Sequence, residues 1–270
     1  MAEIRRRKKK VESGKPPTIE IGDGPAIPTK KDVGLFSAWR TAFFGSIALL
    51  VALAVLKPDP YLRIMTFVPD GIWVTFKVTV GAIFLALTIG LFTGLGRLAK
   101  NKTIYGIASL YVEVVRGIPL LVQLFYIYFA LGRFIQLPPI TSAIIAMGIC
   151  YGAYEGEIFR AGIQSIHKGQ MEAARSLGMT KSQAMIHVIL PQAIRVILPP
   201  IGNEFVALLK DSSLVSILAV ADLLRRGREF ASATFMYFET YTVIAVVYLI
   251  LTLFFSKLIS VMEERISVDK

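Results

Sequence analysis

"VPDGIWVTFKVTVGAIFLALTIGLFTGL", residues 68–95, is apolar over most of its length. As a helix it is long enough to cross a bilayer, which takes roughly 20 apolar residues for a hydrocarbon core of about 30 Å. That reading changes the solvent against which the rest of the chain is judged. Five further runs, at residues 38–56, 104–131, 141–163, 193–220 and 241–262, fit the same description. The 270-residue chain is 54% hydrophobic, with a mean hydropathy of +0.61, too apolar for an ordinary soluble domain. The six runs leave no room for one. The expected fold class is therefore all-α, a polytopic membrane helical bundle, because a backbone in lipid must satisfy its own hydrogen bonds. The first span has the shortest unbroken apolar part, residues 41–56. An interfacial anchor is the other reading of it, but five crossings alone would put the basic leader outside.

Several kinds of chemistry are excluded early. Cys150 is the only cysteine and lies inside the fourth run, so one chain can hold neither a disulfide frame nor a thiolate cluster. His167 and His187 stand twenty positions apart without a carboxylate triad, and no metal site is expected. The net charge of +11 owes much to Arg5, Arg6, Arg7, Lys8, Lys9 and Lys10 in the leader, residues 1–36. A basic tail ahead of a first span fixes topology more often than it binds nucleic acid. With the leader cytoplasmic, "GRLAKNK", "GQMEAARSLGMTKSQAMIHVILPQ" and the tail, residues 263–270, also face the cytoplasm, so both termini lie inside. Short-loop Lys and Arg counts mostly agree with this. The exception is the external "DLLRRGREF", where Asp222 and Glu229 flank Arg225, Arg226 and Arg228.

Residues 168–191 form a polar elbow between two spans. Helix formers run to Leu177, and Gly178 is suited to the left-handed conformation that closes a helix. Thr180, three residues before Gln183, has capping-box spacing for a second helix, expected to end at Leu190 before Pro191. Glu172, Ala173 and Ala174, then Gly178, then Leu190 and Pro191 resemble the EAA motif of ABC importer permeases, with Val188 where that motif prefers isoleucine. "YVEVVRGIPLLVQLFYIYFAL", "YGAYEGEIFRAGIQSI" and "PPIGNEFVALLKDSSLVSILAVADLL" are similar to stretches of the polar amino acid branch, the histidine, glutamine and arginine permeases. The resemblance covers residues 68–262 as a permease transmembrane domain of five spans, which leaves an extra N-terminal span at residues 37–57.

The resemblance implies a transport subunit of a type I ABC importer in the bacterial inner membrane, carrying polar amino acids, basic ones among the candidates. Its elbow would be a coupling helix gripped by a dimer of ATP-binding cassette subunits. Small Ala173 and Ala174 would allow close contact, Glu172 would meet a basic group, and Gly178 would permit the turn. Further implied partners are a second permease chain, identical or paralogous, and an external substrate-binding protein. This chain has no G-x-x-x-x-G-K-[ST] loop. No cofactor is therefore expected on it; ATP and Mg would belong to the partner ATPase. The alternative is a secondary transporter or channel that works without an ATPase.

Charges inside spans are costly, at about 2.5 to 3.5 kcal/mol each near the centre. Glu113 with Arg116 and Glu157 with Arg160 have i,i+3 spacing for structural ion pairs. Glu155 points nearly opposite to Glu157 and is a candidate for a substrate ammonium group or cationic side chain. Asn203, Glu204, Lys210, Asp211, Ser212 and Ser213 form a second polar concentration, suited to a zwitterion if the helix is broken near "LLKDSSL". Pairing of Lys210 with Asp211 is the competing reading there. Pro119 in "RGIP" bends the third span. Phe125, Tyr126, Tyr128 and Phe129 read as an interface belt, as do Trp39 and Trp73.

Overall fold

Side chains of one atom or none decide how the bundle closes. The computed structural model describes residues 37–268; the basic leader and the last two residues of the tail lie outside the described residues. Its central pair is α3 (Pro69–Gly96) and α6 (Pro139–Gln164). Gly148, Gly152 and Gly156 recur every four residues along one face of α6 and meet α3 directly. A Cβ at Gly148 would stand 2.6 Å from Leu85, and one at Gly152 would stand 2.8 Å from Ile89. Gly94 on α3 answers them, since a Cβ there would lie 2.7 Å from that of Phe159. In lipid, where burying apolar surface drives little association, such small-residue seams let backbones approach and gain dispersion energy. Val78, Ala82, Ala86, Ala143, Ala146 and Met147 fill the rest of this core without exposure.

Around this pair stand α1 (Ala38–Leu56), the broken span of α4 (Lys102–Gly117) and α5 (Leu120–Phe125), α9 (Leu190–Asp211) and α11 (Tyr237–Val268). α1 is held to α11 by Trp39, whose indole Nε1 donates to the Leu253 carbonyl at 2.9 Å. α11 runs through the expected tail boundary at residue 263 as far as Val268. Two helices absent from the sequence reading close one end of the bundle: α2 (Pro58–Phe67) and α10 (Leu223–Thr234). Tyr61, Ile64 and Val68 pack there with Leu223, Phe230, Val243 and Ile244.

α10 contains the arginines that conflicted with the charge rule. Arg225 pairs with Glu229 at 2.9 Å, and Arg226 pairs with Glu229 at 3.3 Å and with Asp70 at 3.7 Å. Asp222 does not join these pairs. Its carboxylate caps α10, accepting from the Leu224 and Arg225 amides at 3.2 and 3.0 Å. Burial pushes the Asp222 carboxyl up to about 6.

The third span bends by 101° between α4 and the helical run that begins at Leu120. Pro119 removes one backbone donor, and Gly117 precedes it without a side chain to resist the turn. The elbow comprises α7 (Lys168–Ser176) and α8 (Lys181–Ala184). Pro191 does not end the second elbow helix. A π-turn over Met185–Ile189 accommodates the missing donor, and the helix continues into α9. α9 passes Pro199 and Pro200 and tightens to a 3-10 turn over Ser212–Leu218, which ends at Ala219 with φ +60°.

Candidate functional site

A cavity of about 400 Å³ opens where the third span breaks. Arg116, Gly117, Ile118, Pro119 and Leu120 form one wall, Cys150, Tyr151 and Tyr154 of α6 a second, and Glu204, Ala207 and Asp211 of α9 a third. The break sets Arg116 against α6 at the rim of the cavity, its guanidinium 4.9 Å from the centre of the Tyr154 ring. Tyr151 donates its hydroxyl to Asp211 Oδ2 at 2.8 Å, tying α6 to α9 at the floor of the site. One fork-shaped cation, two carboxylates and two phenols thus enclose a volume in the range of small-molecule sites. The guanidinium suits a carboxylate in two-pronged fashion, and Glu204 with Asp211 suits an ammonium group.

The polar concentration expected on the fifth span divides in two. Glu204 and Asp211 line the cavity. Asn203 and Lys210 do not: both are exposed, seven residues apart on the outer face of α9. Lys210 edges a separate groove with Ser213, Tyr248 and Thr252. Lys210 and Asp211 therefore do not pair, because successive residues on a helix point about 100° apart. Ser212 is fully buried and donates to the Leu209 carbonyl at 2.7 Å.

Glu155 also departs from expectation. It is 0% exposed, neither carboxylate oxygen has a hydrogen-bond partner among the described residues, and it does not line the cavity. Gly90 of α3 packs directly onto its Cβ and seals it between α3 and α6. Glu157, on the opposite face, accepts from Arg160 Nε at 2.8 Å and also pairs with Arg97 at the end of α3. The pair expected between Glu113 and Arg116 is absent among the described residues. Glu113 is exposed on α4, while the break carries Arg116 away to Tyr154. Arg116, Tyr151 and Tyr154 are the site residues that the sequence reading missed. The available signal was an arginine immediately before Gly-Ile-Pro inside an apolar run.

At the elbow, α7 closes in a Schellman arrangement. Gly178 has φ +87°, its amide donates to Arg175 O at 3.0 Å, and the Met179 amide donates to Ala174 O at 3.2 Å. α8 starts with a complete capping box: Thr180 N donates to Gln183 Oε1 at 2.8 Å, and Gln183 N donates to Thr180 Oγ1 at 3.2 Å. Glu172 and Ala173 face solvent, Ala174 is buried, and Leu177 is 82% exposed at the tip. Leu190 and Pro191 lie where the π-turn joins α9. The glycine turn and the capping box fix the knuckle that carries Leu177 at its tip.

Comparison with known proteins adds to this geometry. Residues 86–268 match the family described as binding-protein-dependent transport system inner membrane component. The chain is 39% identical to the probable glutamine ABC transporter permease protein GlnM of Bacillus subtilis (strain 168), over 73% of this chain and 92% of that one. It is 37% identical to the glutamine transport system permease protein GlnP of Escherichia coli (strain K12), over 74% and 92%. Similarity extends to the L-cystine transport system permease protein TcyB of B. subtilis, with 39% identity over 73% and 85%. Among solved structures, a chain of a crystal structure of an amino acid ABC transporter with histidines superposes with a TM-score of 0.73 at 46% identity, covering 76% of this chain and 96% of that one. An inward-facing MetNI methionine ABC transporter shares the fold with a TM-score of 0.65 at 19% identity, over 77% and 98%.

Proposed function

The chain belongs to the family of binding-protein-dependent transport system inner membrane components, and we propose that it carries polar amino acids inward through the Arg116–Glu204–Asp211 cavity, driven by ATP hydrolysis on a separate subunit. The observation that carries this reading is the continuity of the helical run from Lys181 to Leu218. It begins at the elbow and includes Glu204 and Asp211, which lie about 35 Å and about 45 Å along the helix from Lys181 at 1.5 Å rise per residue. A push on the elbow is thereby delivered to one wall of the cavity. The other two walls belong to the α4–α5 break and to α6, so displacement of α9 changes the spacing of Arg116 from the two carboxylates.

In this mechanism Arg116 takes the substrate α-carboxylate, and Glu204 with Asp211 takes the ammonium group. Two formal negative charges stand against one positive, so a cationic side chain is favoured over a neutral one. The elbow docks on an ATP-binding cassette dimer through α7, with Glu172, Ala173 and Leu177 outermost. ATP binding selects whichever bundle packing lets the cassettes close, which is alternating access by population shift. A second permease chain completes the complex, an external binding protein delivers substrate, and both termini of this chain lie in the cytoplasm. ATP and Mg are handled by the cassettes.

The test is direct binding to the assembled permease–cassette complex without the external protein. An amino acid carrying both charged groups is expected to bind, and its decarboxylated amine is expected to bind at least tenfold more weakly. Equal binding of the two would remove Arg116 from its role. Arg116→Met should abolish the discrimination.

A further inference from the structure

Among the backbone acceptors that the break at the cavity wall leaves without their usual helical donors are Val115 O and Ile118 O. In an unbroken helix the Val115 carbonyl accepts from the amide four residues on, but that residue is Pro119, which has none. The Ile118 carbonyl would accept from Val122, whose amide instead donates to Pro119 O at 2.9 Å. Val115 O keeps only a long bond, 3.3 Å, from Ile118 N. One side chain serves both acceptors. Gln123 Nε2 donates to Val115 O at 2.9 Å and to Ile118 O at 2.8 Å, and it lies 3.5 Å from Cys150 Sγ on α6. A primary amide has two hydrogens, and here each meets one orphaned carbonyl. Gln123 is 8% exposed, so no bulk water replaces it.

The two carbonyls bracket Arg116 and Gly117. We infer that Gln123 is a positioning residue for substrate recognition. By pinning the peptide planes on either side of the Arg116–Ile118 stretch it sets where the guanidinium stands relative to Glu204 and Asp211. It does not line the cavity. The inference rests on the reading of Arg116 as the substrate-carboxylate group. A purely structural role for Gln123 would be independent of that arginine, whereas a positioning role acts only through it.

The experiment is a double-mutant cycle on uptake by the complete reconstituted transporter, with Gln123→Leu, Arg116→Met and the pair. Gln123→Leu keeps the volume and removes both donors. The expected result is a KM for the amino acid raised about tenfold with Vmax changed less than twofold. In the Arg116→Met background, Gln123→Leu should add less than a further twofold. A full tenfold effect repeated in that background, or an effect on Vmax alone, would overturn the inference. Should Gln123→Leu fail to assemble, the same cycle is run with Gln123→Asn, whose amide falls one methylene short of the carbonyls, with the same criteria. If Arg116→Met itself leaves KM unchanged, the proposed substrate site falls and this inference with it. If Arg116→Met raises KM and the two effects multiply, only the inference about Gln123 falls.

Discussion

Replacing Gly178 isolates the stiffness of the elbow from its packing. A Cβ at this position would meet nothing within 4 Å, so any cost arises from the backbone φ of +87°. An L-residue held in the left-handed region costs about 1 to 2 kcal/mol, less for asparagine and more for a β-branched side chain. That range is a factor of about 5 to 30 in the population of the native turn. Gly178→Asn should therefore be nearly silent, Gly178→Ala should reduce coupled transport several-fold, and Gly178→Val should reduce it further. Gly178→Pro cannot reach the angle at all and also removes the amide that donates to Arg175 O. It should insert and pair with its second permease chain yet lose uptake. The assay is substrate-dependent ATP hydrolysis and uptake in proteoliposomes, with insertion and assembly followed on native gels. The ranking Asn, Ala, Val, Pro is the signature of backbone conformation. Normal uptake by a normally assembled Gly178→Pro complex would refute the reasoning.

Other consequences are as definite. Glu155→Leu removes a buried carboxyl with no hydrogen-bond partner among the described residues and fills the same space. It should stabilise the chain by about 1 to 3 kcal/mol, read as a higher melting temperature in detergent, and a lower one would contradict the burial argument. Gly152→Val should prevent α3 and α6 from seating, because a Cβ there already lies 2.8 Å from Ile89; the readout is loss of folded protein after membrane extraction. Asp222 is raised to about 6 by burial, so between pH 4 and 6 the folded chain binds more protons than the unfolded one. Stability should fall as pH rises through that window, and Asp222→Asn, which keeps a capping side chain, should flatten the slope of melting temperature against pH; an unchanged slope would show that another group is responsible.

Much of the architecture was legible in the apolar runs, because a bilayer imposes a length and a composition that few other environments require. The first run coincides with α1, and residues 68–95 correspond within one residue at each end to α3. The elbow was legible for a different reason: a glycine turn and a capping box are local chemistry, written in residues three and four apart. The end of its second helix was not, since whether a proline ends a helix or is absorbed by a π-turn depends on what packs around it. Arg116 shows the same limit inside the site. Spacing to Glu113 suggests an ion pair on one helical face, but the face ends at Gly117, and the 101° bend hands the arginine to Tyr154. For Glu155 the spacing correctly separates it from Glu157. Nothing in α6 alone reveals that Gly90 of another helix covers it. Gln123 was visible only as a lone polar residue in "LLVQLF", and its meaning requires knowing which carbonyls the break leaves open.

The central claim is that work enters this chain through its elbow from a nucleotide-hydrolysing partner and reaches the cavity along one helical run. The most direct measurement reconstitutes the purified permease in sealed vesicles with and without its cassette subunits, with the external binding protein and a labelled amino acid supplied, and follows accumulation against a gradient. Accumulation only when cassettes and ATP are both present is the predicted result. Accumulation by the permease alone, powered by an ion gradient, would contradict the account.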